Sequence, residues 1–172
     1  YEERCTVGGR KCWKIPIMEG EFLGEERFGA MKGIAGGNFL GMGRDRPGAL
    51  SAAGAAAEAI AGMRGVITSF PGGIVASGSK VGCRNYRFPM PASTNHLLCP
   101  TLRGRVGDSL VPGGVGSIYE IVINGVDEGS VKGAMRKGIE AATETGKALF
   151  IGASNFDGKL GSFQFRLRDL FT

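Results

Sequence analysis

The chain has 172 residues, 42% of them apolar, which suits one well-packed core or one lobe of something larger and excludes a disordered polypeptide. No apolar run approaches the roughly 20 residues of a membrane helix, so a membrane protein is not expected. The net charge of +5 comes from basic residues scattered among acids with no continuous basic run, which argues against a nucleic-acid stripe.

Cys5, Cys12, Cys83 and Cys99 show no CxxC spacing, and the one histidine, His96, stands three residues before Cys99 without further ligands nearby. A zinc site is therefore not expected, and reduced thiols in a cytoplasmic protein are. The first residue is Tyr1, with no initiator methionine and no charged-then-apolar leader, as in a fragment, a lobe or a processed product.

In chain order, Gly9 to Phe22 reads as one or two strands, with Pro16 favouring an edge. Phe28 to Leu40 is apolar but broken by Gly29, Gly33, Gly36 and Gly37, as in bulged strands or, equally, in tight turns. After a loop from Arg44 to Gly48, Leu50 to Met63 reads as an alanine-rich helix with Leu50, Ala53, Ala57 and Ile60 on one face.

Val66 to Gly82, VITSFPGGIVASGSKVG, is the stretch most suggestive of a site. Its β-branched run calls for a sheet, its glycines free the backbone to approach a ligand, and Lys80 adds a positive charge. A glycine-rich hairpin connection explains the same pattern. Gly82 to Gly116 is rich in loops, and its Ala92-Ser93-Thr94-Asn95 segment offers hydroxyl and amide donors.

The pattern then sharpens. SIYEIVIN, Ser117 to Asn124, reads as a strand interrupted by Glu120. If Glu120 is buried with Ile118 and Val122, its surroundings fit a carboxyl for general acid/base work. In the opposite register Tyr119, Ile121 and Ile123 are buried and Glu120 faces water. Asp127 can cap a helix that buries Val131, Met135, Ile139 and Ala142 and stops at Gly146. KALFIG, Lys147 to Gly152, reads as a strand, and Ser162 to Phe171 alternates or wraps apolar groups at the end. Strand, helix, strand, then strand, helix, strand is the order of an α+β fold, a ferredoxin-like split βαββαβ sandwich with long Gly/Pro-rich loops.

The runs KCWKIPIMEGEF, KGIAGGNFLGM, GVITSFPGGIVASGSKVG, PASTNHLLCPTL, YEIVINGVDE and GKLGSFQFRLRDL resemble the formylmethanofuran:tetrahydromethanopterin formyltransferase family over nearly the whole chain. The resemblance is to the C-terminal half of that enzyme, which implies an N-terminal lobe not contained in residues 1–172. It also implies formyl transfer from formylmethanofuran to N5 of tetrahydromethanopterin, both C1 carriers arriving as substrates, with no prosthetic group or metal. A homo-oligomer is implied, with the bacterial formyltransferase/hydrolase complexes as the setting for an alternative, non-catalytic scaffold role. Glu120 falls on the family's YEIVI glutamate and inherits proton management. Ser77, Gly78, Ser79 and Lys80, with Ser93, Thr94 and Asn95, match segments that line the substrate cleft.

Overall fold

The computed structural model describes residues 1–76, 78, 95–154 and 161–172. Tyr1–Lys32 and Gly33–Thr172 form two compact units.

The first unit is an antiparallel meander of β1 (Glu3–Val7), β2 (Arg10–Ile17) and β3 (Gly20–Glu25). Gly8 and Gly9, at φ of 58° and 78°, make the two-residue turn whose left-handed backbone matches strand twist. Arg4 lies opposite Trp13, its guanidinium 4.9 Å from the ring centroid. Pro16 was expected on an edge, yet β2 is the central strand. The pairing of β1 with β2 ends at Glu3 opposite Lys14, so Pro16 lies beyond β1 and sits on a locally unpaired side where no ladder N–H is needed.

The second unit contains β4 (Ile34–Gly43), α1 (Arg46–Ala61), β5 (Val66–Thr68), β6 (Ser117–Gly125), α2 (Glu128–Glu144) and β7 (Ala148–Gly152). The sheet order is β5-β6-β4-β7 and every pairing is antiparallel, the split βαββαβ arrangement expected from the sequence. The glycine-rich run resolves into a bulged strand. β4 starts at Ile34, shifts register before Gly37, and holds Gly36 at φ 85° with its N–H donating to Asn124 Oδ1 at 3.0 Å.

Helix α1 starts at Arg46, capped by Asp45, whose Oδ1 accepts from Gly48 N–H at 2.8 Å, with Pro47 in the first turn. Its inner face differs from the expected one: Ala49, Ala52, Ala53, Ala56 and Ile60 are buried, while Leu50 is 43% exposed. Small side chains let the helix come so close to the sheet that a leucine fits only outside the contact. Helix α2 buries Val131, Met135, Ile139 and Ala142 as expected, together with Ala134 and Gly138. The terminal segment forms a short 3-10 turn at Leu167–Leu170 and no strand; Phe165, Leu167 and Leu170 wrap onto the core beside Phe39, Ile121 and Ile123.

The Asp127 cap carries a pH prediction. Its Oδ1 accepts from Ser130 N–H at 2.7 Å, and this backbone bond, reinforced by the Ser130 side chain, holds the carboxyl below its ordinary value. A folded-state pKa below the unfolded one gives stability that is present above the unfolded value and lost as pH falls through the folded value. Asp127→Ala is therefore expected to lower the thermal midpoint by about 2–4 °C at neutral pH, with the gap to wild type closing in acid. Melting curves from pH 7 down to pH 2 check this; a gap constant with pH refutes the charged cap.

Both faces of the sheet are covered along β6. Ile121 and Ile123, with Tyr119 partly buried, pack with Phe39 against the helices. On the opposite face Leu40, Met42, Val111 and Val115 form a second small core with Leu98 and Ile118, so the long connection after Asn95 roofs what the alternation alone leaves open to solvent. Among the described residues, no helix is long and apolar enough to cross a membrane.

Candidate active site

Glu120 lies mid-strand in β6, opposite Leu40 of β4, and is 8% exposed. Neither register considered from the sequence is complete. Tyr119, Ile121 and Ile123 do face the helices, but Glu120 on the other side is buried as well.

The chain after β5 forms one flank. A 3-10 turn at Pro71–Gly73, with Gly72 and Gly73 at φ 69° and 75°, redirects the backbone. Gly73 is packed so tightly that an added Cβ would sit 3.0 Å from the Ala57 Cβ. The chain then pairs again with β6: Val75 N–H donates to Glu120 O at 2.9 Å and Glu120 N–H donates to Val75 O at 2.8 Å. Beyond it, Asn95 N–H donates to Gly78 O at 3.0 Å, which ties this flank to the start of the next described segment. The hairpin reading of Val66 to Gly82 thus gives way, over its described part, to a strand that turns and re-pairs beside Glu120.

The side chains around the carboxylate close into a ring. Asn38 Nδ2 donates to Glu120 Oε1 at 2.8 Å and Asn95 Nδ2 donates to Oε2 at 3.4 Å. Ser154 closes the circuit, its backbone N–H donating to Asn38 Oδ1 at 3.3 Å and its hydroxyl to Asn95 Oδ1 at 3.2 Å. The Asn38 orientation is forced, because a carboxylate oxygen only accepts and a backbone N–H only donates. The bulge, β6, the chain around Asn95 and the end of β7 thus converge on one carboxyl group.

Asn38 and Ser154 also line a cleft of about 530 Å³ whose other walls include Gly36, Met135, Phe163 and Phe165. That volume is in the range of small-molecule sites, and its mix of apolar walls and a few fixed polar groups is typical of them. Glu120 itself does not line this cleft; it is joined to it through Asn38, whose amide lines the wall and donates to the carboxylate, while the N–H bonds from Asn38 and Asn95 hold the carboxylate in one orientation.

Of the residues predicted from sequence, Gly78, Asn95 and Glu120 are brought together. Ser77, Ser79, Lys80, Ser93 and Thr94 lie outside the described residues. Sequence reasoning missed Asn38 and Ser154. Asn38 carried a signal, as the one polar side chain in the run GIAGGNFLGM; Ser154, just past a strand end, carried none.

Comparisons with known proteins identify the family. The family model described as "FTR, proximal lobe" matches residues 20–170. Formylmethanofuran–tetrahydromethanopterin formyltransferase of Methanocaldococcus jannaschii is 57% identical over 99% of this chain and 57% of its own length. The solved formylmethanofuran:tetrahydromethanopterin formyltransferase of Methanosarcina barkeri superposes with a TM-score of 0.76 at 48% identity, over 99% of this chain and 57% of that one. The formyltransferase/hydrolase complex FhcABCD of Methylorubrum extorquens, solved with methylofuran, matches with a TM-score of 0.74 at 40% identity, over all of this chain and 57% of the matched one. The chain thus spans a little over half the length of the relatives it matches. It belongs to the formylmethanofuran–tetrahydromethanopterin formyltransferase family and carries that family's proximal-lobe sequence.

Proposed function

We propose that the protein containing this chain transfers a formyl group from formylmethanofuran to N5 of tetrahydromethanopterin, with residues 1–172 as its C-terminal lobe and an N-terminal lobe completing it. The observation that carries this reading is the buried Glu120 carboxylate, gripped by two asparagine amides beside a cleft, in a chain of this family.

In the proposed reaction the pterin nitrogen attacks the formyl carbon and a tetrahedral oxyanion forms. The attacking nitrogen gives up its proton, the departing amine nitrogen gains one, and the C–N bond to methanofuran breaks. Glu120 accepts the first proton and returns it to the leaving nitrogen, so no net proton is consumed. Donors must meet the developing oxyanion, and the backbone and polar side chains of the segments containing Ser77, Gly78, Ser79, Ser93, Thr94 and Asn95 are assigned to substrate binding and this task. Lys80 is assigned to an anionic part of a substrate. Holding both carriers together supplies an effective concentration worth about 7 kcal/mol or more of the barrier, so positioning outweighs any single group. The carriers act as substrates, and a cytoplasmic homo-oligomer is the expected form.

The test is direct. Full-length protein incubated with formylmethanofuran and tetrahydromethanopterin is expected to form formyl-tetrahydromethanopterin, followed by absorbance. No transfer, together with copurification in a larger assembly, would instead favour the reading suggested by the likeness to the FhcABCD complex, a non-catalytic scaffold or assembly subunit.

A further inference from the structure

We infer that Asn38 and Ser154 are positioning residues for this reaction: they hold the Glu120 carboxylate in one orientation and link it to the wall of the adjoining cleft. The inference rests on the formyl-transfer reading and adds to it two residues and a division of labour.

Asn38 performs two tasks with one amide. Its N–H₂ grips Glu120 Oε1 at 2.8 Å, the shortest bond in the ring, while its oxygen is held by Ser154 N–H at 3.3 Å. Ser154 performs the matching pair, N–H to Asn38 and hydroxyl to the Asn95 oxygen at 3.2 Å, so that the Asn95 amide is turned with its N–H₂ toward Glu120 Oε2. Each amide is therefore oriented on its far side by Ser154 and delivers its donor to a different carboxylate oxygen. A carboxylate with both oxygens gripped has lost the rotation about its terminal bond that a proton shuttle must avoid.

The backbone supports the same reading. Asn38 directly follows the bulge that ends at Gly37, and Gly37 is so tightly packed that an added Cβ would lie 2.4 Å from Val131 Cγ1. The strand is thereby pressed against α2, which fixes the origin of the Asn38 side chain. Because Asn38 and Ser154 are also cleft-lining residues, whatever occupies the cleft lies against the groups that orient the carboxylate. Glu120 itself keeps the proton chemistry; Asn38 and Ser154 act through it.

Steady-state kinetics of the full-length protein with formylmethanofuran and tetrahydromethanopterin test this. Asn38→Ala is expected to lower kcat about 10–100-fold, the cost of a misplaced catalytic group, with both KM values within about threefold of wild type. Asn38→Asp keeps the shape but presents an acceptor to a carboxylate, and is expected to be at least as impaired as the alanine variant. Ser154→Ala is expected to lower kcat about 3–10-fold, and Ser154→Thr, which keeps the hydroxyl, to recover most of it. Thermal midpoints near wild type for the Ser154 variants separate orientation from folding.

Wild-type kcat in Asn38→Ala, a loss confined to KM, or full activity in Asn38→Asp would each overturn the inference. With Glu120→Gln disabled and the Asn38 variants unaffected, the inference fails while the formyl-transfer reading stands. Absence of transfer by the wild-type protein itself is the separate failure of that reading.

Discussion

Glu120→Gln is expected to lower kcat of the full-length enzyme by about 10²–10⁴-fold, the contribution of a positioned general acid/base, while the fold survives. Glutamine has the size of glutamate, so the strand pairing of Glu120 with Leu40 and the backbone exchange with Val75 remain. The loss is chemical. A neutral amide takes up no proton from the attacking nitrogen and has none to return to the leaving one. There is also a local conflict, because both neighbours, Asn38 Nδ2 and Asn95 Nδ2, are donors. Either orientation of the new amide sets its own N–H₂ against one of them, a mismatch of about 1–3 kcal/mol in a site that is 8% exposed. The expected pattern is thus a modest fall in thermal midpoint with a collapse of kcat. Turnover equal to wild type would remove Glu120 from the proton path, and a midpoint lowered so far that the protein is unfolded at assay temperature is checked by circular dichroism on the same sample.

Much of this arrangement was legible in the sequence. The split βαββαβ order, the Asp127 cap and the inner face of α2 follow from local chemistry: a capping carboxylate, apolar groups at helical spacing and β-branched runs between glycines. Glu120 stood out as an acid inside SIYEIVIN, but its surroundings did not. Alternation assigns a strand two faces and cannot say that the second is roofed by Leu98, Val111 and Val115, which come from an irregular connection and form only short apolar pieces. Asn38 and Ser154 were hidden for a related reason. Asn38 reaches Glu120 across 82 residues and Ser154 reaches Asn95 across 59, and such separations leave no periodic trace. The inner face of α1 was misassigned because hydrophobicity favoured Leu50 inward, whereas the helix is positioned by how closely its alanines approach the sheet.

That close approach yields the largest expected effect on stability. Gly43, the last residue of β4, faces the first turn of α1, where an added Cβ would lie 2.7 Å from Ala49 N and 2.8 Å from both Ala49 Cα and Cβ. Two of these atoms are backbone, so relief cannot come from a side-chain rotamer; the helix itself must move. Moving it loosens Ala52, Ala53, Ala56 and Ile60 from Phe39 and Ile121 together. Gly43→Ala is therefore expected to cost about 3 kcal/mol, seen as a drop of about 6–12 °C in thermal midpoint. Gly54, in the same helix, has no atom within 4 Å of a built Cβ. Gly54→Ala meets no obstruction and restricts the unfolded chain, so it is expected to stabilise by about 0.5–1 kcal/mol. The two substitutions are chemically identical and differ only in what a single methyl group touches, so opposite shifts in the melting curves are the required result. A Gly43→Ala protein that melts with wild type would mean that α1 tolerates displacement from β4, and the packing that sets β4 and Asn38 beside Glu120 would then need another source of rigidity.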